Sequence, residues 1–548
     1  MSKVQHRSKL IVLTLAVFFA SSALGAHFAQ AANGKKAQHG LLRDGFDQNF
    51  YYEGTNFLHL ERLYRALFNK KARARDVNVY DEVPDSRFFQ NRHARKRFSL
   101  SELERGYRES EGPDASGKLL VTSGKLEGLH PGFFVQDVRG DRYLFKFDPV
   151  SNFELATAAE VIASRFYYAI GYNVPQYTIV TFKPEKLEPA PGARAYDDTG
   201  FKRPLTAEKL EESVLFLPQD AQGRFRASAS KILRGEIFGN VPFQGYDADN
   251  PRGHVPQQDM RAMRAVCVFA SWLNNYDVRE SNSLNVLQGN NEDDPATPYL
   301  IDFNSALGAS AAGSKPPMYG YEHMFDFGES SKSFLSLGLW EKPWQRKWRQ
   351  AGGRPHPSEA IGYFNNIDFD PGRYKTQFPY FAFKDLSLAD AFWAAKIVMS
   401  FSDDDVRAMV KAGELTNDED VDYIAKTLIE RRDIIGKYWF DKANPLDHFD
   451  VKGGQLVFQD LAVERGFHPR DGNVYRYEVI ESDANGRGKK IASLDSKDSA
   501  LTLDSAWRAD SSNLDILIRV GRQNSSSPGP YVRVELGSGQ IKSITHED

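Results

Sequence analysis

The chain has 548 residues, of which 41% are hydrophobic and 13% aromatic; this excludes wholesale disorder and leaves room for two to four domains. Its 70 basic and 73 acidic residues give a formal net charge of −3, so nothing points to nucleic acid as a partner, which requires a basic excess on one face. The single cysteine excludes an intramolecular disulfide.

Lys3, Arg7 and Lys9 precede an apolar run at 10–20, and Ala29-Gln30-Ala31 offers a small-x-small cleavage site. That run is short of the roughly 20 residues that span a bilayer. Residues 1–31 are therefore expected to be a cleaved signal peptide, the protein periplasmic or secreted, and the mature chain without a transmembrane segment. Residues 32–115 are polar and aromatic, with helix-like patches at 58–67 and 100–107, and are expected to wrap as an extension on a larger domain.

Short strands are predicted at 118–122, 133–137 and 143–148, joined by turn-rich segments. A helix follows at 154–170, closed by Gly171, and a further strand runs through 174–181. The spans 213–217 and 225–232 read as a second hairpin-like pair. From about 259 the chain turns helical: a buried helix in RAMRAVCVFASWL, then one at 389–410 and one at 420–438. In the first of these Cys267 reads as a small buried hydrophobe rather than a nucleophile. Residues 310–380, rich in Gly, Pro and aromatics, match no regular pattern. The end of the chain, 452–548, alternates as a small all-β domain of sandwich type.

Phosphoryl transfer needs a cation on the phosphates, a group orienting that cation, oxygen ligands for Mg²⁺ and a carboxylate beside the attacking hydroxyl. Candidates for each occur in chain order. Lys146 lies mid-strand in LFKFDP. Glu160 lies on a helix face with small neighbours (Ala156, Thr157, Ala163, Ser164), which leaves room for an incoming lysine. Asp277 and Asn282 stand five apart on a polar loop suited to a base and a metal ligand, with Asn285 as the alternative amide. Asp302 ends the apolar strand YLI, as a metal-ligating Asp would. Each has a bland alternative: a solvent-facing Lys or Glu, or loop Asp and Asn residues that merely close turns. As an ordered set they carry more weight than singly.

The stretch KFDP…AAEVIASRFYYAIGYNVPQYTIV resembles the strand–helix–Gly–x–x–Val–Pro of HipA-like atypical Ser/Thr kinases, and DVRESN with the later IDF resembles that family's catalytic loop and metal-binding Asp. The chain as a whole is similar to a group of exported bacterial proteins in which a segment like VPDSRFFQNR precedes EGLHPGFFVQDVRGDRYLFKFDP. The kinase resemblance spans roughly 118–310. It implies an α+β, bilobal protein-kinase-like fold with a β-rich N-lobe at 116–235 and a helical C-lobe at 236–447, followed by the C-terminal β domain. It implies ATP and Mg²⁺ (or Mn²⁺) as cofactors, with a protein, peptide or small molecule as acceptor. By it, Lys146 holds phosphate, Glu160 pairs with Lys146, Asp277 is the base, and Asn282 and Asp302 bind metal. Gly124, Gly128 and Gly132 mark a phosphate loop without the usual G-x-G-x-x-G. No His-Arg precedes Asp277, and Asn304 stands where a DFG turn has glycine.

Two other readings compete: a non-catalytic pseudokinase-type module of the cell envelope, and a carbohydrate hydrolase using Asp277 and Asp302 as paired carboxylates, which gives Lys146 and Glu160 no task. His130 and His254 stand in loops without metal-ligand spacing. Trp340, Trp344 and Trp348 recur every fourth residue beside Lys and Arg; a core-facing stripe is the leading reading, a membrane- or partner-binding helix the alternative.

Overall fold

The computed structural model describes residues 64, 67, 68, 71–125, 132–196, 202–246, 255–288, 296–310, 312–315, 317–350, 356–482, 488–504, 513–523 and 529–547. The expected signal peptide, most of the 58–67 patch, Gly128, His130 and His254 lie outside them.

The N-terminal extension contributes helix α1 (Leu100–Arg105), started by a Ser99/Glu102 capping box. It packs Val83, Phe88, Phe89 and Leu103 into the largest core. Strands β1 (Leu119–Lys125), β2 (Gly132–Gln136) and β3 (Arg142–Phe147) then form an antiparallel meander. Helix α2 (Leu155–Ile170) crosses the sheet and stops at Gly171. Gly171 has φ 145°, and a Cβ there would sit 2.4 Å from the Gln90 carbonyl oxygen, so only glycine fits.

Strands β4 (Tyr177–Phe182), β5 (Leu187–Tyr196) and β6 (Lys202–Pro204), helix α3 (Ala207–Val214) and strand β7 (Phe225–Lys231) complete a seven-stranded sheet ordered β4-β7-β3-β2-β1-β5-β6. Here the hairpin reading of 213–217 and 225–232 is corrected. Thr206 caps a helix whose Leu210 and Val214, followed by Leu217, lie on one face by 3.6-residue periodicity and pack on the sheet. Strand β7 meanwhile inserts between β3 and β4. Period-two alternation then sorts β3: Tyr143, Phe145 and Phe147 enter the core under α3, while Lys146 takes the opposite face.

Strand β8 (Glu236–Gly239) precedes helices α4 (Arg261–Arg264) and α5 (Val266–Leu273), the latter ended by Asn274 in the left-handed conformation. Strands β9 (Ser283–Leu287) and β10 (Thr297–Leu300) pair with β8 in a three-stranded sheet ordered β10-β9-β8. Cys267, as expected, packs against the core, and burial pushes its thiol up to about 12. A short hairpin, β11 (Ala309–Ser310) and β12 (Gly313–Ser314), leads to helices α6 (Phe327–Leu335) and α7 (Pro343–Gln350). Pro343 opens α7 rather than breaking it, because the first turn needs no donor there. The tryptophan stripe does not face the core: Trp340 is 39% and Trp348 42% exposed.

After α8 (Phe381–Lys384), the single helix expected at 389–410 is two, α9 (Leu388–Met399) and α10 (Asp403–Lys411). The Ser402/Asp405 capping box starts a new helix where the periodicity alone runs on. The long helix α11 (Asp418–Lys442) packs against both. The C-terminal region holds strands β13 (Leu446–Lys452) and β14 (Gln455–Asp460), helix α12 (Leu461–Glu464), and strands β15 (Val474–Ser482), β16 (Gly488–Ser496), β17 (Ala500–Thr502), β18 (Asn513–Gly521), β19 (Val532–Gly537) and β20 (Gln540–His546). Its two sheets, β13-β14-β17 and β16-β15-β18-β19-β20, share one core, which makes it sandwich-like.

Candidate functional site

The site begins with how α2 is held on β3. Asp148 follows β3, and its carboxylate accepts from the backbone N–H groups of Glu154 (3.0 Å), Ala156 (2.8 Å) and Thr157 (2.9 Å) and from the Thr157 hydroxyl (2.8 Å). One buried side chain thereby caps the helix N-terminus and sets its angle to the strand. Three residues into that helix from Thr157, Glu160 faces the sheet.

Lys146 donates to Glu160 Oε1 at 2.5 Å and to Asp302 Oδ1 at 2.8 Å. The second Glu160 oxygen accepts from Ser228, which pairs with Lys146 across β3 and β7. Burial works against the Lys146 ammonium, but Asp302 and Glu160 outweigh it, and its pKa is raised above the usual lysine value. The Asp302 side chain is 22% exposed, against 1% for Glu160, so the cluster opens to solvent on the Asp302 side.

The β9–β10 pairing brings the other candidates here. Leu300 lies opposite Ser283, and the Ile301 N–H donates to the Asn282 carbonyl at 3.0 Å, so Asn282 and Asp302 flank one end of the hairpin. The Asn282 amide donates to the Asp277 carbonyl at 2.7 Å and folds the loop back. Arg279 Nε lies 3.1 Å from Asp277 Oδ1, although neither atom has a well-directed hydrogen bond among the described residues. Burial raises the Asp277 pKa, Arg279 and Lys315 counter it, and Asp302 adds to the rise.

Asp302 has φ 63°, a left-handed conformation that Asp tolerates. Asn304 is not in that region, so the bend sits two residues before the position where a DFG motif carries glycine. Phe303 is fixed behind it, stacked on Tyr167 (4.9 Å between centroids) and edge-on to Tyr177 (5.7 Å). The Asp302 N–H donates to the Tyr177 hydroxyl at 3.2 Å.

Of the glycines, Gly132 lies directly opposite Lys146, and Gly124 pairs with Phe133 on the same hairpin. A Cβ on Gly124 would meet the Ala195 Cβ at 3.2 Å, so close packing against β5 already accounts for that glycine.

Lys315 was not anticipated from the sequence. It is buried, its ammonium donates to the Ser305 carbonyl at 2.6 Å, and it lies over the rings of Tyr276 (5.2 Å) and Tyr319 (5.0 Å). Burial pushes it down to about 7, with Asp277 offsetting part of the shift. The only sequence signal is a lysine in a Gly/Ser/Pro stretch without an acidic neighbour. Asp148 and Ser228 were likewise missed.

These residues fit a divalent metal in one respect. Asp302 and Asn282 supply one carboxylate and one amide oxygen, the sparse set Mg²⁺ takes when phosphates and water complete its shell. Among the described residues no cluster of three or more His, Cys, Asp or Glu is placed to hold a metal by protein alone. No helix among them is long and apolar enough to cross a membrane.

No family model matches the chain, and no curated protein matches it. Among solved structures it is similar to the Helicobacter pylori proinflammatory kinase CtkA, with 11% identity, 60% of this chain and 97% of that one covered, and a TM-score of 0.33. It is also similar to the Golgi casein kinase, with 10% identity, 75% and 90% coverage and a TM-score of 0.28. For that kinase with Mn/ADP bound the values are 11%, 75%, 90% and 0.27. Likenesses this distant carry no argument, and the site stands on its own geometry.

Proposed function

We propose that this chain is a kinase-like phosphotransferase that moves the γ-phosphoryl group of ATP to a hydroxyl of a protein, peptide or small molecule. The observation that carries the reading is Lys146 held by Glu160 while also touching Asp302, with Asn282 and Asp277 brought to the same hairpin end. An ammonium kept charged by one fully buried carboxylate and one solvent-facing carboxylate is suited to receive phosphate oxygens.

In this reading Glu160, anchored by Ser228, aims the Lys146 ammonium at the phosphates. Asn282 and Asp302 would hold Mg²⁺ or Mn²⁺, which would neutralise phosphate charge. Asp277 takes the acceptor's hydroxyl proton as that oxygen bonds to the γ-phosphorus; the bridging bond to the β-phosphate breaks, and its electron pair leaves with ADP. The raised pKa of Asp277 favours this proton transfer. Lys315 lies within electrostatic reach of Asp277, so the charge of each acts on the titration of the other. The resemblance of residues 118–310 to HipA-like kinases agrees with these roles, and the pattern of residues 1–31 agrees with action outside the cytoplasm.

A thermal-shift titration with Mg-ATP tests the binding step. Wild type is expected to be stabilised at millimolar nucleotide and Asp302→Ala to lose the shift. No stabilisation, or an equal shift in the variant, removes the nucleotide site. Given binding, Asp277→Ala should keep the shift but lose γ-phosphate labelling of acceptors; a binding module without chemistry would show the shift and no labelling even in wild type.

A further inference from the structure

A cavity of about 580 Å³ lies beyond the 274–276 turn, within the roughly 300–1,000 Å³ usual for small-molecule sites. Its walls include Tyr319, Glu322, Glu329, Trp340, Trp344 and Tyr363. Tyr319 joins it to the site above, because its ring packs edge-on against Tyr276 at 4.3 Å.

The ionic groups in its wall balance in number: Glu322, Glu329, Asp368 and Asp370 stand with Lys332, Arg373, Lys375 and Arg431. Glu322 accepts from Lys342 and from the Trp344 indole N–H. Glu329 accepts from Lys332 at 2.7 Å and from the Trp340 indole N–H at 3.0 Å, and Asp368 pairs with Lys347. A ligand of either net charge would meet like charge as well as opposite charge in this wall. A lysine covers one face of each tryptophan, Lys332 over Trp340 at 5.3 Å and Lys342 over Trp344 at 6.0 Å, so these rings form no closed ammonium cage, and the aromatic lining also includes Tyr319, Tyr363 and Phe369. What the cavity offers is uncharged in sum: flat aromatic surface, bordered by the carboxamides of Asn274 and Asn365 and by phenol hydroxyls. The Tyr374 hydroxyl, buried in this wall, has no hydrogen-bond partner among the described residues.

We infer that this cavity is a binding site for a neutral oligosaccharide of two or three rings. A sugar ring presents apolar C–H groups on its faces and hydroxyls around its rim, the pattern that stacked aromatics edged by amides, phenols and neutralised carboxylates can recognise. The inference rests on the cavity alone and holds whether or not the neighbouring site transfers phosphate.

Trp340 and Trp344 make the site report on itself through tryptophan fluorescence. Wild-type protein is titrated with maltotriose, cellotriose and chitotriose to about 10 mM, enough to fill a site of about 1 mM Kd. The expected result is a saturable emission change with at least one of them, weakened about tenfold or more in Trp344→Ala. Saturation-transfer NMR on wild type, which needs no variant, should show ring protons of the same sugar in contact with the protein. The inference is overturned if no trisaccharide gives a saturable change or saturation transfer. It is equally overturned if Mg-ATP or choline, not a sugar, produces the Trp344-dependent signal.

Discussion

Two of the buried ionic clusters among the described residues are built to opposite ends. In one, Asp390 accepts from Arg261 at 2.9 Å and from Arg264 at 3.0 Å, and Arg261 also reaches Asp81 at 2.9 Å. Asp81 in turn accepts from the backbone N–H of His546 at 3.1 Å, so the cluster clamps the N-terminal extension, the helical region and the last strand together. Burial works against the Asp81 carboxylate, but His546 and Arg261 hold its pKa well below the usual range. In the other, Lys146 bridges Glu160 and Asp302, and one carboxylate faces solvent. The first uses planar guanidinium forks whose donors are spent on fixed partners. The second uses a compact ammonium with an open side. A closed arginine network serves cohesion; an open lysine cluster is what a binding site requires.

Breaking the closed cluster should have the largest effect on stability. Asp390→Ala leaves two buried guanidinium groups short of their carboxylate and is expected to cost about 3–5 kcal/mol in urea unfolding. At temperatures where the variant stays folded, its response to Mg-ATP should match wild type.

Asp148 separates the two roles next, because it supports the open cluster without belonging to it. Asp148→Ala removes four hydrogen bonds to the start of α2, with an expected loss of about 2–3 kcal/mol in the same assay. Unlike Asp390→Ala, it should also weaken the nucleotide-dependent shift, since Glu160 rides on that helix.

The smallest effect sharpens the comparison through pH. Lys315 falls to about 7 in the folded protein from an ordinary value near 10.5, so between these the unfolded chain binds the proton and the folded one releases it. Its contribution to stability is therefore full above pH 10.5 and lost as pH falls through 7. Relative to Lys315→Met, which does not titrate, wild type should gain about 1–2 kcal/mol from pH 7 to 8.5. A flat difference would show that Lys315 stays charged in the folded state.

Much of the site was legible because its residues sit on strongly patterned elements. Lys146 falls between the alternating aromatics of β3, Glu160 lies among small residues on α2, and Asp302 ends an apolar strand. The corrections came where one pattern serves two structures. Leu210, Val214 and Leu217 fit a helix once Thr206 is seen as its cap, and the 389–410 periodicity continues across a break that the Ser402 capping box enforces. Sequence distance hid the rest: Ser228 reaches Glu160 across 68 positions, and Lys315, just after the β11–β12 hairpin, lies over the ring of the distant Tyr276.

By itself, then, the sequence determined which chemical groups are present, their order, and the local elements that carry them, because periodicity and capping act within a few residues. Tertiary structure alone decided which groups meet. It placed Ser228 behind Glu160, set Asp148 under the helix, buried Lys315 within electrostatic reach of Asp277, and set Trp340 and Trp344 in the wall of a cavity. Those outcomes depend on strand order and loop packing, and on the desolvation that follows, none of which is written in any short window of the chain.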